Sequence, residues 1–211
     1  MDTFELKREQ LKLAGKVVLQ DTLSKIKTIG GAATLVVGNK LLACVVVCSF
    51  PSLELLETKI YLLSDPLPYR LGFEAYREMP AIIEACNLLD QEPDVLLIKG
   101  PGILHPQRCG IASHLGLALN LPTIGVDDKL VLGRIEQGKI MHDSEIRGFE
   151  IKTREHSNPV YVSPGHLISL GSALHFVSES IRYPHKLPEP LHLAQKMARK
   201  NEQEKESIEK L

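Results

Sequence analysis

Residues 93–129, PDVLLIKGPGILHPQRCGIASHLGLALNLPTIGVDDK, constrain the fold more than any other stretch of this chain. Two short runs, 95–98 and 123–126, are apolar throughout. Strands buried on both faces read this way, and such strands belong to a parallel sheet. Between them stand a Gly/Pro-rich loop and a helix-like segment, 109–119, so the unit reads as strand, helix, strand. In an open α/β sheet, chemistry collects at the carboxyl ends of the strands. The first strand delivers Lys99 to that edge, a cation rather than an acid.

The flanking sequence extends the sheet on both sides. Residues 2–22 carry Phe4, Leu6, Leu11, Leu13, Val17 and Val18 among charges, which predicts an amphipathic helix. Three strand-like runs follow, 28–37, 41–50 and 55–63, separated by Gly-Asn-Lys and Pro-Ser-Leu turn signals. They predict an antiparallel meander. Residues 65–72 form a loop on their Pro and Gly content, and 73–89 have helical periodicity. Beyond the central unit, 145–152 and 160–162 read as short strands and 169–181 as a helix. A break at Lys186-Leu187-Pro188-Glu189-Pro190 precedes a charged helix. Antiparallel strands followed by alternating helices and strands predict a mixed α/β sheet, flanked by helices, of the ribonuclease H-like kind. The expectation is one domain over 1–211 with a charged helical tail from about 191, its 200–210 segment a solvated face.

Composition narrows the classes. With 25 basic against 26 acidic side chains there is no global basic field, so any nucleic-acid contact has to be local. Cys44, Cys48, Cys86 and Cys109 make no CxxC and no zinc spacing with histidine. Cys44 and Cys48 share one strand face and read as small buried hydrophobes. The N-terminus is too charged for a signal peptide and no run is long enough to span a membrane. The expected setting is cytoplasmic, with no membrane partner.

Several motifs then occur in order. They are Pro68-Tyr69-Arg70-Leu71-Gly72, Arg77-Glu78, Gly100-Pro101-Gly102, His105-Pro106-Gln107-Arg108, Gly110-Ile111-Ala112-Ser113-His114, Pro122-Thr123-Ile124-Gly125-Val126 and Tyr161-Val162-Ser163-Pro164-Gly165-His166. Together, over residues 5–195, they resemble endonuclease V, a family that cuts nucleic acid one phosphodiester beyond a deaminated adenine (inosine). The resemblance implies a divalent cation held by an Asp on the first strand, a Glu opening the helix after the loop, and an Asp ending the fourth strand. Such a cation takes hard oxygen ligands, activates water and neutralises charge on the phosphate.

Carried over residue by residue, the pattern splits. The Glu matches Glu78. The first Asp falls on Ala33 and the second on Lys99; a loop His falls on Pro101, a Lys on Asp128 and a late acidic residue on Gly171. Alanine offers no oxygen ligand, and a charged lysine has no lone pair. Glu78 and His166 therefore stand as the remnant catalytic site, with Glu78 the one metal ligand if any metal is bound. No cofactor is expected, and Mg²⁺ or Mn²⁺ only if the chain cuts. Lys99 is expected to replace the lost cation and pair with Glu78, while Asp128 rebalances the pocket.

The resemblance also places nucleic-acid contacts. Tyr69, in its Pro-Tyr-x-x-Gly72 loop, is expected to wedge beside an extruded base. Arg70 either touches phosphate or is solvated. Gly100 and Gly102 either allow close approach of a ligand or supply backbone freedom. His105 and Arg108 precede a helix and either meet phosphate or brace the loop. His114 reads as a satisfied core histidine. Three readings compete: a binder of inosine-containing DNA or RNA that no longer cuts; an active endonuclease in which Asp127, Asp128 or Asp94 substitutes for the missing ligands; and a partner-binding subunit that has left nucleic acid.

Overall fold

The computed structural model describes residues 2–209. Its elements run α1 (Thr3–Ala14), β1 (Thr28–Val37), β2 (Lys40–Ser49), β3 (Leu55–Leu63), α2 (Glu74–Asn87), β4 (Val95–Lys99), α3 (Ile111–Leu119), β5 (Thr123–Asp127), β6 (Arg134–Glu136), β7 (Lys139–His142), β8 (Glu145–Ile151), β9 (Val160–His166), α4 (Leu170–Glu179) and α5 (Glu189–Glu209). All nine strands share one sheet in the order β3-β2-β1-β4-β5-β9-β8-β7-β6. Strands β1, β4 and β5 are parallel, and the remaining pairings are antiparallel. The expected meander and the central strand-helix-strand unit are both present.

Strand alternation sends successive side chains to opposite faces. On one face Ala32, Ile98 and Val45 pack against Ala81 and Ile82 of α2 and Ile111 and Leu115 of α3. On the other, Ala33, Leu97, Val126 and Cys44 pack against Ala173 and Val177 of α4 and Leu191 and Ala194 of α5. Cys44 and Cys48 are buried in that second layer, as their spacing implied. A Cβ on Gly31 would collide with the backbone of Pro190, so the first turn of α5 lies directly on β1.

Three boundaries differ from the sequence expectation. Helix α1 stops at Ala14, capped by Gly15, and the chain to residue 27 crosses the sheet edge without regular structure. The β-branched pair Val17-Val18 disfavours helix there. The β6–β7 hairpin was not foreseen: its strands are short, and β6 is exposed along its length, so neither carries much alternation. Strand β9 extends to His166, beyond the expected 160–162. Of the solvated face expected over 200–210, the side chains from residue 204 on lie outside what the structure describes.

Candidate functional site

The carboxyl ends of β1, β4 and β5 open into a cleft of about 730 Å³. Thr34, Tyr69, Gly72, Glu74, Glu78, Lys99, Gly100, His105, Asp127 and Asp128 all line it. Sequence reasoning thus brings Tyr69, Gly72, Glu78, Lys99, Gly100, His105 and Asp128 to one place.

Lys99 and Glu78 do not pair. Lys99 forms an ion pair with Oδ2 of Asp128, and Lys186 lies 3.5 Å from Oδ1 of the same carboxylate. Burial raises the Asp128 carboxyl, but the two ammonium groups outweigh it and hold it below the ordinary carboxylate range. Glu78 instead accepts a 2.8 Å hydrogen bond from the Thr34 hydroxyl. Burial raises the Glu78 carboxyl, and neighbouring Glu74 adds to the rise against the pull of Thr34. The expectation that Lys99 pairs with Glu78 is therefore corrected, and the reason is strand parity. Ala32 is level with Ile98, so Ala33 is level with Lys99. Ala33 faces the α5 layer and Thr34 faces α2, the helix that carries Glu78.

The loop bearing Tyr69 is held from three directions. The Gly72 carbonyl accepts from Gln10 Nε2 of α1 at 2.9 Å and meets His105 Nε2 at 3.1 Å. Since the Gln107 N–H donates to His105 Nδ1, the ring proton belongs on Nε2, which donates to Gly72. Burial lowers the His105 pKa despite that bond. Oε1 of Glu74 accepts from the Gly72 N–H at 3.0 Å and the Tyr69 hydroxyl at 3.1 Å. Gly72 has φ +80°, a conformation glycine adopts without strain. The Tyr69 side chain stands at the mouth of the cleft, 59% exposed.

Other expected site residues lie elsewhere. His166 pairs across the sheet with Thr123, the first residue of β5, so it sits at the opposite edge from Lys99. There it is buried and its Nδ1 accepts the Val18 N–H at 3.2 Å; antiparallel β9 carries it away from the cleft. Asp94 is also at that far edge, accepting from the backbone N–H groups of Lys27 and Thr28. Asp127 does line the cleft, but its Oδ1 closes a turn on the N–H groups of Asp128 and Lys129. Arg108 is ion-paired with Glu145 at 2.7 Å, a brace between the loop and β8. Arg70 is exposed beside a small apolar hollow with Leu6, Phe73 and Tyr76. Gly102 is buried under Pro164, with its N–H on Ser163 Oγ. His114 is buried edge-on to Tyr76, as a core residue, yet its Nδ1 has no partner.

Gln10, Thr34, Glu74 and Lys186 were not singled out from sequence. Thr34 had a signal in its position one residue from Ala33, and Glu74 in its spacing of four from Glu78 on a helix. Lys186 had none: only the packing of α5 on β1 brings its loop to Asp128.

The residues present do not fit a divalent cation. Among the described residues no group of three His, Cys, Asp or Glu side chains is placed to hold a metal. Ala33 is 2% exposed within an apolar layer, an ammonium occupies the end of β4, and Asp128 is committed to two lysines.

Comparison with known proteins agrees with this scaffold. The family model for endonuclease V matches residues 11–196. Endonuclease V of Rippkaea orientalis is 39% identical over 204 residues, covering 92% of this chain and 89% of that protein. The crystal structure of the catalytic domain of human endonuclease V superposes with a TM-score of 0.87 at 31% identity, covering 97% of each chain. Ciona intestinalis endonuclease V, in complex with a 23mer DNA containing an inosine followed by a ribo-adenosine, superposes with a TM-score of 0.86 at 27% identity, covering 95% of this chain and 97% of that one. No described helix is long and apolar enough to cross a membrane. By family match, identity and ribonuclease H-like fold, the chain belongs to the endonuclease V family.

Proposed function

We propose that this chain binds inosine-containing DNA or RNA through the Tyr69 loop and does not cut it. The observation that carries the reading is the Lys99–Asp128 ion pair at the ends of β4 and β5. Cleavage by this family's route needs a cation among carboxylates at that edge, and an ammonium with a neutralised carboxylate offers none. Binding needs different parts, and two features of the cleft support it. A cleft of about 730 Å³ has the size of a small-molecule pocket and accommodates an extruded base. Tyr69 stands at its mouth on a loop pinned by Gln10, His105 and Glu74. The Ciona protein's inosine-containing DNA supplies the substrate class. Four free thiols suit a reducing, cytoplasmic setting.

The test is incubation with inosine-containing single- and double-stranded DNA and RNA in Mg²⁺ and in Mn²⁺. Binding without cleavage, weakened by Tyr69→Ala, is expected. Cleavage that is abolished by Glu78→Ala overturns the reading in favour of an active enzyme with rearranged ligands. Absence of binding at low salt, where phosphate contacts are strongest, points to a partner-binding subunit.

A further inference from the structure

We infer that Lys99 and Lys186 form a binding site for the phosphodiester group, and that Asp128 plugs it in the unliganded protein. The inference rests on the nucleic-acid reading for the source of its ligand. The Asp128 carboxylate presents one oxygen to each lysine, Oδ2 to Lys99 and Oδ1 to Lys186. Two ammonium groups that straddle the two oxygens of a carboxylate also suit the two non-bridging oxygens of a phosphodiester, since each group spreads one negative charge over two acceptor oxygens. The lysines come from separate elements, the end of β4 and the loop before α5, so their convergence is a product of the fold. The Lys186 and Asp128 side chains are 27% and 41% exposed, while the Lys99 Nζ is buried, so an incoming anion meets Lys186 first and Lys99 once the carboxylate has moved.

The backbone that carries the plug is held without it. Asp128 follows β5 on a segment whose course is already set by the Asp127 turn, so the Asp128 side chain can rotate with no change in the backbone. Removing it changes the local balance from two cations and one anion to two cations. Lys129 also lines the same cleft and adds a third cation nearby. Glu78 and Asp127 face the cleft from α2 and β5, so the phosphate is confined to the α5 side, where the lysines are.

The experiment compares the wild type, Asp128→Asn, Lys186→Gln and the double variant, each checked for its melting transition. One arm follows binding of a labelled inosine-containing single strand across a salt series. The other follows inorganic phosphate by ³¹P NMR. Asp128→Asn is expected to tighten the strand roughly threefold to tenfold and to steepen the log–log salt slope by about 0.7, the increment of one single-strand phosphate contact. Phosphate is expected to broaden with Asp128→Asn more than with the wild type, and Lys186→Gln to reverse both gains in the double variant. If folded Asp128→Asn binds strand and phosphate no better than the wild type, the trio is a brace and the inference fails. If phosphate binds Asp128→Asn while no variant binds the strand, the anion site stands and the nucleic-acid reading falls.

Discussion

Replacing Lys99 by methionine isolates the ammonium, because methionine keeps the aliphatic stem that the end of β4 buries. The structure sets the size of the effect. Fully exposed ion pairs contribute about 0–1 kcal/mol, and stripping one partner from a buried pair costs about 3–5 kcal/mol. The Lys99 and Asp128 side chains are 25% and 41% exposed, and Asp128 keeps Lys186 at 3.5 Å after the change. Solvent screening and that second partner hold the expected loss near the lower figures, about 1–2 kcal/mol at neutral pH. For a chain of this length the melting temperature then falls by roughly 2–8 °C. The loss also has a pH signature. The two lysines depress the Asp128 pKa in the folded protein, so the stability they supply is present above the ordinary value of 3.8 and disappears as pH falls through the lowered one. Thermal melts of wild type, Lys99→Met, Asp128→Asn and the double variant between neutral and acid pH close the cycle. Lys99→Met as stable as the wild type at pH 7, with no coupling to Asp128→Asn, would falsify the ion-pair account. Desolvation of the ammonium would then have cancelled the attraction.

Thr34→Val removes the hydroxyl that Glu78 accepts from and is expected to cost about 1–2 kcal/mol at neutral pH, read by denaturant unfolding. The loss runs with pH in the same direction as for Lys99→Met, from a different cause: burial has already raised the folded Glu78 pKa and losing Thr34 raises it further, so the variant loses most stability above that pKa and least near pH 4. Acid titration of the wild type gives a separate expectation. Burial lowers the pKa of His105, His114 and His166, so the stability of their neutral forms is complete above the ordinary value of 6.5 and is lost as pH falls below it. An unfolding free energy that stays flat from pH 7 to 5 counts against that burial.

The legible parts of this chain were those where one residue type leaves little choice. Apolar runs at 95–98 and 123–126 announced strands covered on both faces, and the β1–β3 meander followed from turn residues at fixed spacing. The cleft gathered Tyr69, Glu78, Lys99 and His105 because the end of β4, the start of α2 and the loops before α2 and after β4 meet at one sheet edge. What sequence order did not decide was direction. His166 ends a strand as Lys99 does, but β9 is antiparallel to β5, so its end lies at the other edge. Nor did sequence decide face. Lys99 and Glu78 are opposite in charge and close in the cleft, which makes their pairing the natural expectation. Parity instead aligns Lys99 with Ala33 toward α5 and leaves Glu78 to Thr34 across the sheet. A carboxylate already stands on the α5 side in Asp128, and a second cation arrives there from a loop far along the chain. Ala33, Lys99 and Asp128 thus belong to one side of the sheet edge. Glu78 stands on the other side, hydrogen-bonded to Thr34. On the α5 side the charges are paired, Asp128 with Lys99 and Lys186; on the α2 side Glu78 rests on the neutral Thr34 hydroxyl, and burial raises its pKa.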